Sequence, residues 1–124
     1  MKWVVYLIEN KINGKGYVGI TNEQRKTYLD RFSDHLALAA KGGRIAPNGR
    51  KYPIYAAIEK YGAENFTVEL LEDEYFTLEE AQEREQYWIE ELDTYASHPS
   101  RNGYNLTYGG EEPDWDPDNF EYNN

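Results

Sequence analysis

The pattern that most constrains this chain is a pair of short apolar runs around one dipeptide, within residues 4 to 21, Val-Val-Tyr-Leu-Ile-Glu-Asn-Lys-Ile-Asn-Gly-Lys-Gly-Tyr-Val-Gly-Ile-Thr. Trp3 to Ile8 and Tyr17 to Thr21 are rich in β-branched and aromatic residues, the composition that packs on a pleated surface. Asn13-Gly14 between them tolerates the positive φ of a type I′ turn, so the stretch reads as a β-hairpin. A two-residue turn sets Ile12 opposite Lys15, Tyr6 opposite Thr21 and Ile8 opposite Gly19, unless a bulge shifts the register. Side chains alternate between faces along a strand. Tyr6, Ile8, Tyr17, Gly19 and Thr21 therefore share one face, and Val5, Leu7, Val18 and Ile20 the other. The second set is wholly apolar and suits a core. The first projects two phenols beside a glycine that leaves the sheet bare.

Downstream, Thr21 or Asn22 can cap a helix from Glu23 to about Lys41, closed by Gly42-Gly43. Tyr28 or Leu29, Phe32, Leu36 and Ala39 form its apolar stripe, and Arg31 and His35, four apart, stack on one flank. Gly42 to Tyr52 is a polar, basic loop with a turn at Pro47-Asn48-Gly49. Pro53 opens a second helix, in which Ile54, Ala57, Ile58 and Tyr61 share a face, and Gly62 ends it. Asn65 to Leu71 alternates as a half-buried third strand, with Phe66, Val68 and Leu70 on one side. Thr77-Leu78-Glu79-Glu80 has the capping-box pattern and starts a third helix reaching about Leu92. On that helix Leu78, Ala81, Glu85, Trp88 and Leu92 recur in steps of three and four, so a carboxylate interrupts an apolar stripe. Burying it costs free energy unless something pairs with it. The alternative is a slightly rotated stripe, with Tyr87 or Ile89 inward and Glu85 at the rim.

At 124 residues the chain is expected to form one small domain, residues 1–110, followed by an acidic tail, 111–124. Without cysteine it has no disulfide, thiolate metal site or thiol nucleophile. His35 and His98 are too few for a histidine-built metal site. No signal peptide and no apolar run of membrane-spanning length is present, so no membrane partner is expected and a cytoplasmic location is the default. The net charge of −10 argues against a polyanionic partner, since duplex affinity comes largely from Lys and Arg. Its distribution weakens that objection. The tail holds six of the 23 acids and no base, leaving a body charge of −4. Between Asp34 and Glu59 there is no acid, while Lys41, Arg44, Arg50 and Lys51 all fall there. Trp115, Phe120 and Tyr122 in the tail could dock on the body, or the tail could lie along the basic face as a nucleic-acid mimic.

Tyr6 within Val4-Val5-Tyr6, Tyr17 within Tyr17-Val18-Gly19, the Asn-Gly turn, Arg31-x-x-x-His35, Glu85 within Glu83-Arg84-Glu85-Gln86-Tyr87-Trp88-Ile89, and Asn102-Gly103-Tyr104-Asn105-Leu106 occur in an order that resembles the GIY-YIG endonuclease family, in its phage and homing-endonuclease branch. The likeness runs from Val4 to about Tyr108, and Val4 replaces the family's leading glycine. It implies an α+β fold, a small three-stranded antiparallel sheet flanked by three helices. It also implies a Mg²⁺-dependent DNA endonuclease, with Mn²⁺ as a possible substitute ion, and a catalytic set of Tyr6, Tyr17, Arg31, His35, Glu85 and Asn105. A single carboxylate, Glu85, would hold the ion, which commonly keeps several waters. Arg31 would clamp the phosphate. The two tyrosines would position and deprotonate a water, His35 would pass the proton onward or hold the phosphate, and Asn105 would hydrogen-bond a tyrosine or a metal-bound water. Lys41, Arg44, Arg50 and Lys51 would contact DNA. Such a chain is expected to have little sequence preference of its own, or to depend on a targeting protein. The alternative is a catalytically silent module whose acidic tail engages a basic protein or blocks DNA binding.

Overall fold

Two antiparallel ladders share one strand. β1 (Trp3–Asn10) pairs on one side with β2 (Gly16–Asn22) and on the other with β3 (Phe66–Phe76), giving a three-stranded sheet in the order β2-β1-β3. Helices α1 (Tyr28–Ala40) and α2 (Pro53–Tyr61) follow the hairpin, a 3-10 turn at Ala63–Asn65 leads into β3, and α3 (Leu78–Leu92) comes after it. This is the architecture expected from the sequence. The computed structural model describes residues 2–45, 49–96 and 103–106. The expected acidic tail, the turn residues Pro47-Asn48, and His98 and Asn102 lie outside the described residues.

The hairpin register differs from the expected one. Tyr6 faces Gly19, Ile8 faces Tyr17 and Val4 faces Thr21, two residues away from the pairing that a two-residue turn imposes. The loop is instead four residues long, closed by Asn10 N–H donating to Lys15 O at 2.9 Å and Gly14 N–H donating to Asn10 O at 2.8 Å. Asn10 Oδ1 accepts from Ile12 N–H, and this local side-chain bond holds the wider turn. Only Gly14 takes a positive φ there, of 76°. A shift of one residue would have exchanged the faces, whereas a shift of two preserves them. Tyr6, Ile8 and Tyr17 accordingly pack in one apolar layer with Ala39, Ile54, Tyr55 and Ile58 of α1 and α2. Trp3, Val5, Leu7, Val18 and Ile20 pack in the other with Ala81 and Ile89 of α3.

Helix α1 starts five residues later than expected. Thr27 is its N-cap, and Thr27 and Asp30 bond each other's backbone N–H groups in a capping box that outcompetes Asn22. Asn22 instead holds the preceding turn, accepting from Gln24 N–H. Helix α2 has the expected bounds, with Pro53 at its start. The Thr77–Glu80 capping box of α3 also forms. Strand β3 runs on to Phe76, past the expected end at Leu71, because register irregularities opposite Val5 let it continue beside β1.

The bare backbone at Gly19 has a definite use. A Cβ there would stand 2.5 Å from both the Cζ and the hydroxyl oxygen of Tyr6, whose ring crosses that position. Gly19→Ala is expected to lower unfolding free energy by about 1–3 kcal/mol through overpacking, read as a lower urea midpoint at unchanged m-value. An unchanged midpoint would mean that the Tyr6 ring yields without cost.

Candidate active site

Helix α1 turns a polar row inward. Its buried residues are Arg31, His35 and Ala39, spaced four apart, while Phe32 and Leu36 are half-buried and Leu29 is exposed. Arg31 and His35, expected on a flank of the apolar stripe, are thus the centre of the buried face. His35 is 2% exposed and Arg31 fully buried. His35 Nε2 lies 3.3 Å from the Tyr6 hydroxyl, and Nδ1 lies 3.2 Å from the Tyr55 hydroxyl. The Tyr17 ring meets the imidazole edge-on, with centroids 5.5 Å apart.

Burial pushes the His35 pKa well below its ordinary value of 6.5, and the nearby Arg31 charge pushes it the same way. The ring is therefore neutral. A neutral imidazole has one donor and one acceptor nitrogen, so it donates to one phenol and accepts from the other. Tyr6 is fully buried, and Tyr17 is 7% exposed. The hairpin face and the inner row of α1 thus bring Tyr6, Tyr17, Arg31 and His35 into one cluster. Tyr55, absent from the expected site, completes it. Its signal in the sequence was a phenol three residues before Ile58 on the buried side of α2.

Glu85 is on α3, whose Ala81 and Ile89 pack on the sheet face opposite Tyr6 and Tyr17. It lies between Ala81 and Ile89 at steps of four, and all three are buried, with Glu85 4% exposed. The carboxylate does interrupt the core stripe, and Ile89 joins that stripe without moving Glu85 to the rim. Its Oε1, like Nε and Nη1 of Arg31, is buried with no hydrogen bond among the described residues, although neither residue is isolated. No group of three or more His, Cys, Asp and Glu side chains is arranged to hold a metal among the described residues. The Glu85 carboxylate is a hard oxygen donor, of the kind that a hard divalent cation takes as a ligand.

Asn105 does something other than the expected bond to a tyrosine. Its Oδ1 accepts from Val18 N–H at 2.9 Å and from the Thr94 hydroxyl at 2.7 Å, and its Nδ2 donates to Val18 O at 2.8 Å. The side-chain amide takes the place of a neighbouring strand at the outer edge of β2. Around it, Tyr104 N–H donates to Gly16 O, Asn105 N–H to Thr94 O, and Ala96 N–H to Asn105 O. Asn105 is thus tied to β2 at Val18, the residue after Tyr17, and to Thr94.

The basic stretch is partly engaged. Lys51 Nζ lies 2.8 Å from the Glu59 carboxylate, Arg44 is half-buried, and Lys41 and Arg50 are exposed. Gly43 packs beneath Tyr55, where a Cβ would stand 2.7 Å from the tyrosine Cβ. This sets the loop alongside the residue that holds His35.

The family model of the GIY-YIG catalytic domain matches residues 2–105. The chain belongs to the GIY-YIG family. Among solved structures, the catalytic domain of homing endonuclease I-TevI is similar at 27% identity and a TM-score of 0.65, covering 86% of this chain and 99% of that one. A mutant of the intron endonuclease I-TevI catalytic domain matches at 26% identity and a TM-score of 0.66, covering 88% and 97%. No curated protein matches. The GIY-YIG assignment makes the chain a nuclease domain, with the sheet and three helices of that fold. Val4, standing where the family motif has glycine, is buried and paired with Thr21.

Two outcomes follow from this geometry. Asn105→Ala strips partners from both backbone groups of Val18, each worth about 1–3 kcal/mol when buried unsatisfied. Faster hydrogen exchange at the Val18 amide is expected, and unchanged exchange would refute the clamp. For His35, the folded pKa is depressed, so the unfolded chain binds the extra proton. Its stabilising contribution is present above about pH 6.5 and is lost as pH falls toward the folded value. The stability of His35→Gln relative to wild type should therefore improve as pH falls below 6.5, by up to about 1.4 kcal/mol per pH unit. Parallel stability profiles would contradict a neutral buried ring.

Proposed function

We propose that this chain is a Mg²⁺-dependent DNA endonuclease that hydrolyses a phosphodiester by water attack, displacing the 3′ oxygen in line. The observation that carries this reading is the buried cluster in which neutral His35 joins the Tyr6 and Tyr55 hydroxyls, next to Arg31. Phosphodiester hydrolysis needs a proton acceptor for the water and positive charge for the pentacoordinate state. Arg31 supplies a permanent charge where burial weakens solvent screening. The phenol pair orients the water and takes its proton, with Tyr17 nearest the surface and Tyr6 tied to His35. A phenol with a pKa near 10 serves as a base when a hydrogen bond or a cation favours its anion. His35 can give that bond to Tyr6 through Nε2 when Nδ1 accepts from Tyr55. Glu85 would hold Mg²⁺, or Mn²⁺ in its place, which supplies Lewis-acid activation of the phosphate. Asn105 keeps β2, and with it Tyr17, in position. Lys41 and Arg50 are exposed and available to DNA phosphates, with Arg44 and Lys51 behind them.

The test is nicking of supercoiled plasmid with Mg²⁺ and with chelator, by wild type, Arg31→Ala and Glu85→Gln, each checked for folding by circular dichroism. Loss of roughly 10²–10³-fold is expected for a folded variant lacking a group that stabilises transition-state charge, and full loss with chelator. Cleavage indifferent to chelator and to both substitutions would overturn the reading.

A further inference from the structure

A second feature borders the tyrosine cluster and is used by none of the steps above. Between the hairpin loop, α2 and the segment at residues 103–104 lies a cleft of about 330 Å³, lined by Asn13, Lys15, Pro53, Lys60, Tyr61 and Tyr104 with small residues between them. We propose that this cleft takes one unpaired nucleotide of the DNA strand next to the scissile phosphate, so that the preferred substrate carries a single-stranded arm. The proposal rests on the nuclease reading for the identity of the strand, but not for the chemistry of the cleft.

Charge is the first argument. The cleft lining contains two lysines and no acid. Lys2, Lys11, Lys26 and Lys51 are each paired with a carboxylate, of Asp73, Glu9, Asp34 and Glu59. Lys15 and Lys60 have no such pair among the described residues. On a chain of net charge −10, two lysines without a carboxylate pair that line one cleft mark a local site for an anion. The strongly acidic run of β3 and α3, from Glu69 to Glu91, belongs to other elements and contributes nothing to this lining.

The aromatic walls specify the kind of anion. Tyr104 is held in place, its hydroxyl accepting from Asn10 Nδ2 at 3.1 Å and from Asn13 Nδ2 at 3.3 Å. Tyr61 is half-buried, with the Lys60 ammonium 5.2 Å above its ring. Cations beside ring faces are the combination that binds single-stranded nucleic acid, phosphate to the charge and base to the ring, with little preference among bases. A volume near the lower end of the roughly 300–1,000 Å³ of ligand pockets accommodates one nucleotide and not a base pair.

Position connects the cleft to the reaction. Tyr104 N–H donates to Gly16 O at 2.8 Å, and Gly16 immediately precedes Tyr17. Tyr104 and Ala57, both in the cleft lining, pack in the same layer as Tyr6, Tyr17 and Tyr55. The cleft and Tyr17 are thus joined through Gly16 and a shared apolar layer, which is the basis for assigning the cleft to the nucleotide next to the scissile phosphate.

The experiment is fluorescence anisotropy in EDTA, where nothing is cut, with a labelled duplex bearing a short unpaired arm and a fully paired duplex of the same length. Wild type, the double variant Lys15→Ala/Lys60→Ala, and the control Lys11→Ala, a lysine of the same loop outside the cleft, are compared over a salt series. Wild type should bind the armed duplex at least about tenfold more tightly. The double variant should lose that preference and show a log K against log salt slope shallower by about 1.4, at about 0.7 per single-strand phosphate contact. Lys11→Ala should change neither. Equal wild-type affinity for the two DNAs, or an unchanged preference and slope in the double variant, overturns the cleft assignment. If wild type nicks plasmid while the double variant binds unchanged, only the cleft assignment falls. Arm preference without any wild-type cleavage overturns the nuclease reading and leaves the cleft assignment standing.

Discussion

His35 is wedged between two phenols in a space that burial keeps at low dielectric, and most of the site follows from that one placement. With Arg31 close by, an imidazolium there would face both desolvation and like-charge repulsion, so the ring stays neutral. Neutrality fixes complementary roles for its two nitrogens, and each has a hydroxyl to meet them. Three elements must be in place at once for this to hold: β1 for Tyr6, α1 for His35 and α2 for Tyr55. The cluster is thus a structural junction.

The cost of that junction is visible in the polar residues the fold buries. Arg31 on α1 and Glu85 on α3 are both removed from solvent. Buried charges stabilise a fold poorly compared with apolar side chains of similar size. Their burial is therefore a feature that packing alone does not favour. The offset comes from two continuous apolar layers and from the backbone clamp that Asn105 places on β2.

The fold was largely legible because its signals are local. The face partition of the hairpin survived a wrong turn length, since parity depends on an even shift and not on the turn type. Pro53 and the Thr77–Glu80 box mark two helix starts correctly, whereas α1 starts at the Thr27–Asp30 box and not at Thr21 or Asn22. The site was legible in part. Tyr6, Tyr17, Arg31 and His35 do converge, but periodicity set Arg31 and His35 on a flank because it treats polar residues as outward-facing. Tyr55 was hidden by being one more tyrosine among 12. The bonds of Asn105 to Val18 and Thr94 were not legible. A side chain that substitutes for a strand partner depends on which edge of the sheet is free, and strand order is a tertiary property.

The most direct test of this account is the state of the His35 ring. Nitrogen-15 NMR of labelled imidazole, recorded from pH 8 down to pH 5 in the folded protein, reads protonation and tautomer together. The account predicts one neutral tautomer for His35, with one protonated and one bare nitrogen, unchanged through the range where an ordinary histidine titrates. An imidazolium forming with a midpoint near 6.5 would contradict it, because a charged ring could not serve both phenols as donor and acceptor beside Arg31.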